Sequence, residues 1–491
     1  MEPLRVESRV VKEALVFEIP SSLLSFVPET VWCPSPSREH RTSPYPVPKS
    51  IRMGVQDSQE CGAKFTPPPL AVVVSGKGKR CLVIVSASRN CHRWNFCEFK
   101  VAGTKVEVKV DLEGHTLPEK VKPFVSVHIF PSRGEENELS LLSRACLYLY
   151  PEVLQKKKTH FSWWHKPIYC GWGDQVALSM YLEGPGPEAR ALAYCTQGLY
   201  QRWLERLQKA GVPVGIVTID AGWSPAGTLE PFKNHWPDLR GFVEKQHQQG
   251  RHVLLWFGLW FHEGLPDKWC LQAGKKLTVD STHPGYIKYL RRQIRRLLSP
   301  EKNCFNADGF KIDMLQFTPT ERQSRGGEQF GRTFSSGPHA RIKPFQSLWG
   351  LELLYRLQKE IYQTAKQIKP DALITSSTVH PYFHDTFDMV RLHDTGIITS
   401  DVFAAMKVRA DLARAVLPYH LIDADDWVHS DYHQWLNYTK SSWQLGTPCL
   451  FYAERFVASW EKEPLTREIP LKDLASISSC WKKFLQQGEK R

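Results

Sequence analysis

The chain has 491 residues, 42% of them hydrophobic and 23% charged, with a formal charge of +13. Such a composition suits a globular protein of two or three domains and excludes a disordered or collagen-like chain. No apolar run reaches the roughly 18 residues of a membrane span, and the positive charge is scattered rather than gathered into a nucleic-acid-binding stripe. The densest basic set, Arg291, Arg292, Arg295 and Arg296, falls opposite Ile287, Leu290, Ile294 and Leu297 on a helical pattern, so a solvated helix face accounts for it.

The N-terminal segment MEPLRVESRVVKEALVFEIP carries charges where a secretory leader has an apolar core, which predicts a cytoplasmic protein without a membrane partner. Residues 1–155 read as a β-sandwich domain: LAVVVSG, RCLVIVSAS, KVEVKVDL and FVSVHIF are short β-branched runs separated by turn residues. The Pro- and Ser-rich stretch around residues 34–70 reads as loop. The twelve cysteines follow no framework spacing. Cys91, His92 and Cys97 lie close together, but no second Cys/His pair stands at zinc-site spacing, so packing explains them and no metal or other cofactor is predicted.

From residue 156 to 491 the pattern changes to alternating strands and helices. IYCGWG is followed by helical spacing over 187–210, with Gly211 as a stop; VGIVTIDAGW is followed by a helix over 237–249 ending at Gly250. HVLLWFGLW precedes a helix over 284–298, and ADGFKIDM precedes a long polar excursion, 316–343, that is either a lid or a loop without a role. A helix over 346–368 then leads to DALITSS, FDMVRLHD, YHLIDAD and TPCLFYA, with helices near 401–416 and 433–445 between the later strands and a final helix at the C-terminus. Eight such units, several with strands apolar on both faces, predict an α/β fold: a (β/α)8 TIM barrel preceded by the β-sandwich.

In that barrel the C-terminal strand ends carry function. Read in order they supply Trp172 and Asp174, Asp220 and Trp223, Trp260 and Glu263, Lys311 and Asp313, Ser376 and Ser377, Arg391, His393 and Asp394, then Asp423, Asp425 and Asp426. Paired carboxylates among aromatic residues suit glycosidic cleavage, in which one carboxylate attacks the anomeric carbon and another protonates the leaving oxygen. Alternation along GFKID puts Lys311 and Asp313 on one face, where the lysine could bind a sugar hydroxyl and hold Asp313 ionised. The seventeen tryptophans fit sugar stacking and core packing about equally, and Trp172, Trp223 and Trp260 are open to both readings.

The GFKID segment resembles the K-x-D nucleophile strand of the retaining α-glycosidase clan of glycoside hydrolase families 27, 31 and 36. CGWGD resembles the C-T-W-D element of family 36, and IDAGW its D-D-G-W element; LLWFGLW and LTVDSTHPGYIKYLRRQIRRLL resemble the next two units. The resemblance covers about residues 160–450 and is closest to family 36, the α-galactosidase and raffinose-synthase-like group. It implies Asp313 as nucleophile and, through DMVRLHDTG, Asp394 as acid/base with Arg391 as substrate contact or tuner; Asp425 and Asp426 compete for the acid/base role. Trp172, Asp174, Asp220, Trp223, Trp260, Lys311, Arg391 and His393 are the implied substrate-binding residues. Two departures stand out: His393 occupies the usual serine position, and Ala221 follows Asp220 where galactosidases carry a second aspartate. The expected activity is hydrolysis of an α-glycoside of a carbohydrate substrate, with transglycosylation or mere sugar binding on a decayed barrel as alternatives.

Overall fold

The computed structural model describes residues 4–488 except 7, 12–13, 25, 35–43, 49, 55–66, 88–95, 104, 112–124, 156, 273–275, 320–322, 329–330, 337–344, 347, 395–400 and 459–465. The N-terminal region forms two antiparallel sheets. One has six strands, in the order Leu4–Val6, Val125–Pro131, Lys79–Ala87, Ala71–Gly76, Thr30–Trp32 and Tyr45–Pro46. The other has five, in the order Ser8–Val11, Ala14–Pro20, Lys105–Asp111, Phe96–Ala102 and Ile51–Gly54. The period-two pattern explains the packing: Val106, Val108 and Val110 are buried, as are Val125, Val127 and Ile129, while the residues between them are not. Cys91 and His92 lie outside the described residues.

Helix Glu138–Leu149, capped by Asn137, packs against both the sandwich strand Lys79–Ala87 and the barrel helix Val402–Val416. Ser143 Oγ donates to Ala415 O at 2.7 Å across this contact. Near the strand ends of the barrel, Val379 N donates to Pro67 O of the sandwich region at 3.3 Å.

Eight parallel strands then close a barrel: β1 (Ile168–Cys170), β2 (Ile216–Ile219), β3 (His252–Gly258), β4 (Gly309–Asp313), β5 (Leu373–Ser376), β6 (Met389–Arg391), β7 (Leu421–Ala424) and β8 (Thr447–Leu450). The strands are buried nearly throughout, as a sheet covered by helices requires. Helix Pro284–Leu298 begins with proline after its His283 cap, and Asp238, Asp401 and Asp431 each cap a barrel helix with a side-chain oxygen.

Four local expectations change. The Pro- and Ser-rich stretch around 34–70, expected as loop, supplies an edge strand to each sheet, Tyr45–Pro46 and Ile51–Gly54. Strand β1 stops at Cys170, and Trp172 opens helix Trp172–Glu183 instead of ending a strand. The 187–210 stretch divides into a 3-10 segment, Glu188–Tyr194, and helix Gln197–Lys209 with Thr196 as its cap. The polar excursion contains an antiparallel hairpin, Gln323–Glu328 with Gly331–Ser336, set against strand Lys276–Val279.

Candidate active site

Strand β4 brings Lys311 and Asp313 to the barrel interior, and its register with β3 fixes their neighbours: Trp256 lies opposite Lys311 and Gly258 opposite Asp313. Asp313 is gripped from two sides. Trp256 Nε1 donates to Oδ2 at 3.0 Å, and Met314 N donates to Oδ1 at 2.9 Å. Two further nitrogens, Arg391 Nη1 and His393 Nε2, each lie 3.5 Å from Oδ1. Burial on its own would raise the Asp313 carboxyl, but the Arg391 charge, helped by His393, Lys311 and the Trp256 indole, outweighs it and holds the acid well below the usual carboxylate range. Asp313 is therefore ionised at neutral pH.

Arg391 on β6 is the central cation. It is fully buried, donating through Nε to Asp425 Oδ2 at 2.9 Å and through Nη1 to Ile312 O at 3.1 Å, with Nη2 2.8 Å from Asp425 Oδ2. Although burial disfavours its charge, Asp425 and Asp313 more than compensate and raise its pKa. Asp425 also accepts from His393 N at 2.8 Å, so both of its oxygens serve as internal struts. Asp426 Oδ1 accepts from Val428 N at 3.1 Å, in the turn after β7.

His393 adopts a left-handed conformation, φ 57°, with its ring between Asp313 and Asp394. Nε2 stands 3.5 Å from Asp313 Oδ1 and 4.0 Å from Asp394 Oδ2, so the two distances together cap the separation of these oxygens at about 7.5 Å. Burial, reinforced by the Arg391 charge and opposed by Asp394 and Asp313, pushes the imidazole below its ordinary value. Arg409 Nη1 donates to the carbonyls of Leu392, His393 and Asp394, which holds the chain in place up to the carboxylate.

Lys311 does not face Asp313 directly. Its Nζ is 2.7 Å from Asp220 Oδ2 and 3.5 Å from Cys170 Sγ, and the Cys170 thiol donates to the same Asp220 oxygen at 3.0 Å. Burial lowers the lysine's pKa, but Asp220 more than restores it, so the pair is an ion pair. Asp220 Oδ1 accepts from Ala221 N at 2.8 Å. Lys311 still helps to keep Asp313 ionised, as expected, but the larger share of that work falls to Arg391.

Asp174 is not brought to the mouth. Its carboxylate accepts from Tyr169 Oη at 2.8 Å and from the amides of Ala453, Glu454 and Arg455, which ties helix Trp172–Glu183 to the chain leaving β8 and closes the barrel seam. Burial pushes this acid up to about 7 against those donors. The expectation of a substrate contact gives way to a structural one, because all four bonds are already internal.

The three tryptophans are likewise inside the wall. Trp172 meets Trp427 edge-on at 6.0 Å, and Trp223 Nε1 donates to Trp256 O at 2.9 Å. Trp260, with φ 75°, has a buried Nε1 that finds no hydrogen-bond partner among the described residues. Ser377 Oγ beyond β5 and Asp423 Oδ1 on β7 are in the same position. Buried polar atoms left over in this way are uncommon and mark points where a hydroxyl-rich ligand or water would bond. Burial, with Asp425 adding to it, raises the Asp423 carboxyl well above its usual value.

Sequence reasoning missed Trp256, the donor to the nucleophile candidate. Its position in β3 held the signal, since it is two residues before Gly258 and so shares the inward face. A Cβ on Gly258 would come within 2.3 Å of the Trp256 ring, so the glycine makes room for the indole to lean over Asp313. Among the described residues no group of His, Cys, Asp or Glu is arranged to hold a metal ion, and no helix is long and apolar enough to cross a membrane.

No protein-family model matches the chain. An alignment of 143 positions that takes in 24% of the chain is 26% identical to the α-xylosidase XylQ of Lactiplantibacillus pentosus and covers 18% of that protein. The whole fold is similar to the cycloalternan-degrading enzyme of Trueperella pyogenes, solved with a covalent intermediate: TM-score 0.59 and 13% identity, over 99% of this chain and 67% of that one. It is also similar to the cycloalternan-forming enzyme of Listeria monocytogenes in complex with a pentasaccharide substrate, with TM-score 0.58 and 13% identity over 99% of this chain and 44% of that one. The chain thus spans about two thirds of the first enzyme and under half of the second. At such identity what is shared is the architecture, a sandwich followed by a closed barrel.

Proposed function

We propose that this protein is a retaining α-glycosidase, with residues 1–155 as a supporting β-sandwich and 156–491 as the catalytic barrel. The observation that carries the reading is one carboxylate, Asp313, held ionised by Arg391 at the end of β4, with Asp394 beyond His393 on the β6 side. In the first step Asp313 attacks the anomeric carbon while protonated Asp394 gives its proton to the departing glycosidic oxygen. In the second, Asp394 takes a proton from water as that water attacks the same carbon and Asp313 leaves as a carboxylate. No metal or organic cofactor enters either step. Asp394 suits the acid/base role better than Asp425, whose charge is committed to Arg391, or Asp426, which is bonded into the turn after β7.

The substrate is a carbohydrate α-glycoside, and galactose is not favoured among sugars. Ala221 removes one acceptor from the hydroxyl-binding end, and the similar proteins are named for xylosides and cycloalternan. The Lys311–Asp220 pair, with Trp260 Nε1 and Ser377 Oγ, offers the hydroxyl ligands. Transfer to an acceptor sugar is the second reading, favoured by the likeness to a cycloalternan-forming enzyme. The deciding experiment is a panel of aryl α-glucosides, α-xylosides and α-galactosides, with and without acceptor sugar, followed by NMR of the first-formed anomer. Retention is expected, and Asp313→Ala should lose turnover while its melting temperature holds. Sugar binding without turnover of any panel member would instead identify a decayed barrel.

A further inference from the structure

We propose that His393 is a neutral hydrogen-bond donor shared between Asp313 and Asp394, which hands its Nε2–H from one carboxylate to the other as the first loses its charge. The inference rests on the glycosidase reading and deepens it. Its basis is geometric. A single ring nitrogen lies 3.5 Å from Asp313 Oδ1 and 4.0 Å from Asp394 Oδ2, so a small rotation of the ring brings it into bonding range of either.

The backbone around the ring is fixed for this purpose. A left-handed φ of 57° is costly for a residue with a Cβ, and it persists because Asp425 takes the His393 N–H and Arg409 takes its carbonyl. The charged groups that act on the ring are Asp313 from β4, Arg391 from β6, Asp394 in its own loop and Asp425 beyond β7, while Arg409 from helix Val402–Val416 sits on the His393 carbonyl. Burial, with the Arg391 charge beside it, outweighs the pull of the three acids and disfavours a charged imidazole, so the ring acts through its N–H.

The consequence follows the reaction. The reaction requires a proton on Asp394 and a charge on Asp313 at its start, and in that state the Nε2–H serves Asp313, the nearer acid. When Asp313 becomes an ester to the anomeric carbon, the leaving oxygen has taken the Asp394 proton, and the negative charge now sits on Asp394. The Nε2–H then turns to Asp394 and stabilises it as the base for water. When water attacks, its proton goes to Asp394 and the C–O bond to Asp313 breaks, restoring the first arrangement. His393 neither gains nor loses a proton, so it is a positioning residue.

The test has two arms. In the first, full-length protein labelled with 15N-histidine is compared with His393→Gln to assign the ring. The expected result is a neutral ring at pH 7 protonated on Nε2, whose resonance moves in both Asp313→Asn and Asp394→Asn. A charged ring, a proton on Nδ1, or indifference to either substitution overturns the proposal. In the second, His393→Ala is followed on an activated aryl α-glycoside: loss of water attack should exceed loss of ester formation at least tenfold, with glycosyl-enzyme accumulating by mass spectrometry. Azide, which needs no base, should restore turnover as an α-glycosyl azide, and His393→Gln should recover part of it. Equal slowing of both steps without azide rescue would reduce His393 to a space filler and sink the idea. If wild-type protein forms no glycosyl-enzyme from any aryl glycoside, the glycosidase reading fails, while the spectrum still decides where the ring proton lies.

Discussion

Replacing Trp256 with phenylalanine isolates one contact to the proposed nucleophile. The indole N–H donates to Asp313 Oδ2 at 3.0 Å in a buried site, and phenylalanine keeps most of the ring while deleting the donor. A hydrogen bond to a charged acceptor contributes about 1.5–3 kcal/mol. That bond is strongest when Asp313 is a full carboxylate, so it favours the free enzyme over the ester. Removing it destabilises the attacking carboxylate more than a midway transition state, so attack on the anomeric carbon should become faster, by roughly 3- to 12-fold. It makes the departure of Asp313 from the ester harder, by up to about 10- to 150-fold if the whole bond is regained in that transition state. About half is regained at a midway transition state, so roughly a 3- to 12-fold slowing of the second step is expected. Stopped-flow release of an activated aryl leaving group separates the steps: the burst should persist and the steady rate fall, with glycosyl-enzyme visible by mass. A melting curve checks that the smaller ring has not loosened the barrel. A variant that loses the burst and keeps the steady rate would refute the assignment of Asp313 as the group that leaves.

Gly258→Ala should act on the same contact from the other side, because the new Cβ meets the Trp256 ring at 2.3 Å; kcat/KM is expected to fall about tenfold or more, as for other slightly misplaced catalytic groups, with folding judged by circular dichroism. Asp394→Ala should spare substrates with activated leaving groups and respond to azide, whereas Asp425→Ala strands the buried Arg391, costs about 3–5 kcal/mol in a denaturant titration and gains nothing from azide. Azide rescue of Asp425→Ala alone would transfer the acid/base role. Asp174→Asn should lower stability by about 2–4 kcal/mol in urea, since an amide group replaces an acceptor facing backbone N–H donors. Because the folded pKa of Asp174 is raised to about 7, its proton stabilises the fold at low pH and that contribution fades as pH rises from about 4 through 7. The wild-type stability slope over that window should flatten in Asp174→Asn, and an unchanged slope would show that the acid is already ionised.

The alternation of strands and helices was legible because the barrel strands are buried on both faces and most intervening helices, such as Gln197–Lys209, Leu239–Gln248, Pro284–Leu298 and Gly350–Ile368, show one apolar stripe; helix Trp172–Glu183, buried almost all round at its start, does not. Helix Pro284–Leu298 coincides with its sequence boundaries, since His283, Pro284 and the apolar run mark its start and extent. Asp174 was misjudged for a physical reason: being next to a strand end does not reveal which way a side chain points once the chain has turned into a helix. There the nearest unpaired groups were three amides beyond β8. Lys311 was placed on the right face and does act on Asp313, but its ion-pair partner was not legible. Parity along a strand gives the face, while the neighbour across the barrel depends on stagger, which put Asp220 within 2.7 Å. Trp256 was hidden among the apolar residues of β3, where a donor looks like one more core ring.

Three non-glycine residues near the proposed centre, Trp260, Met314 and His393, take left-handed backbone angles, and each follows β3, β4 or β6. Such a conformation costs on the order of 1–3 kcal/mol per residue. At Met314 the turn aims the amide at Asp313 Oδ1, and at His393 it aims the amide at Asp425 and the ring between two acids. The carboxylates are thus placed by backbone turned out of its preferred region, and the Arg391 and Arg409 guanidinium groups hold that backbone through Ile312, Leu392, His393 and Asp394 carbonyls. Charge and strain are therefore coupled here: the same two cations that stabilise buried carboxylates also fix the turns presenting them. Substituting either arginine would disturb ionisation and geometry together, whereas the Trp256 indole N–H, which bonds to the Asp313 carboxylate and not to that backbone, separates the two.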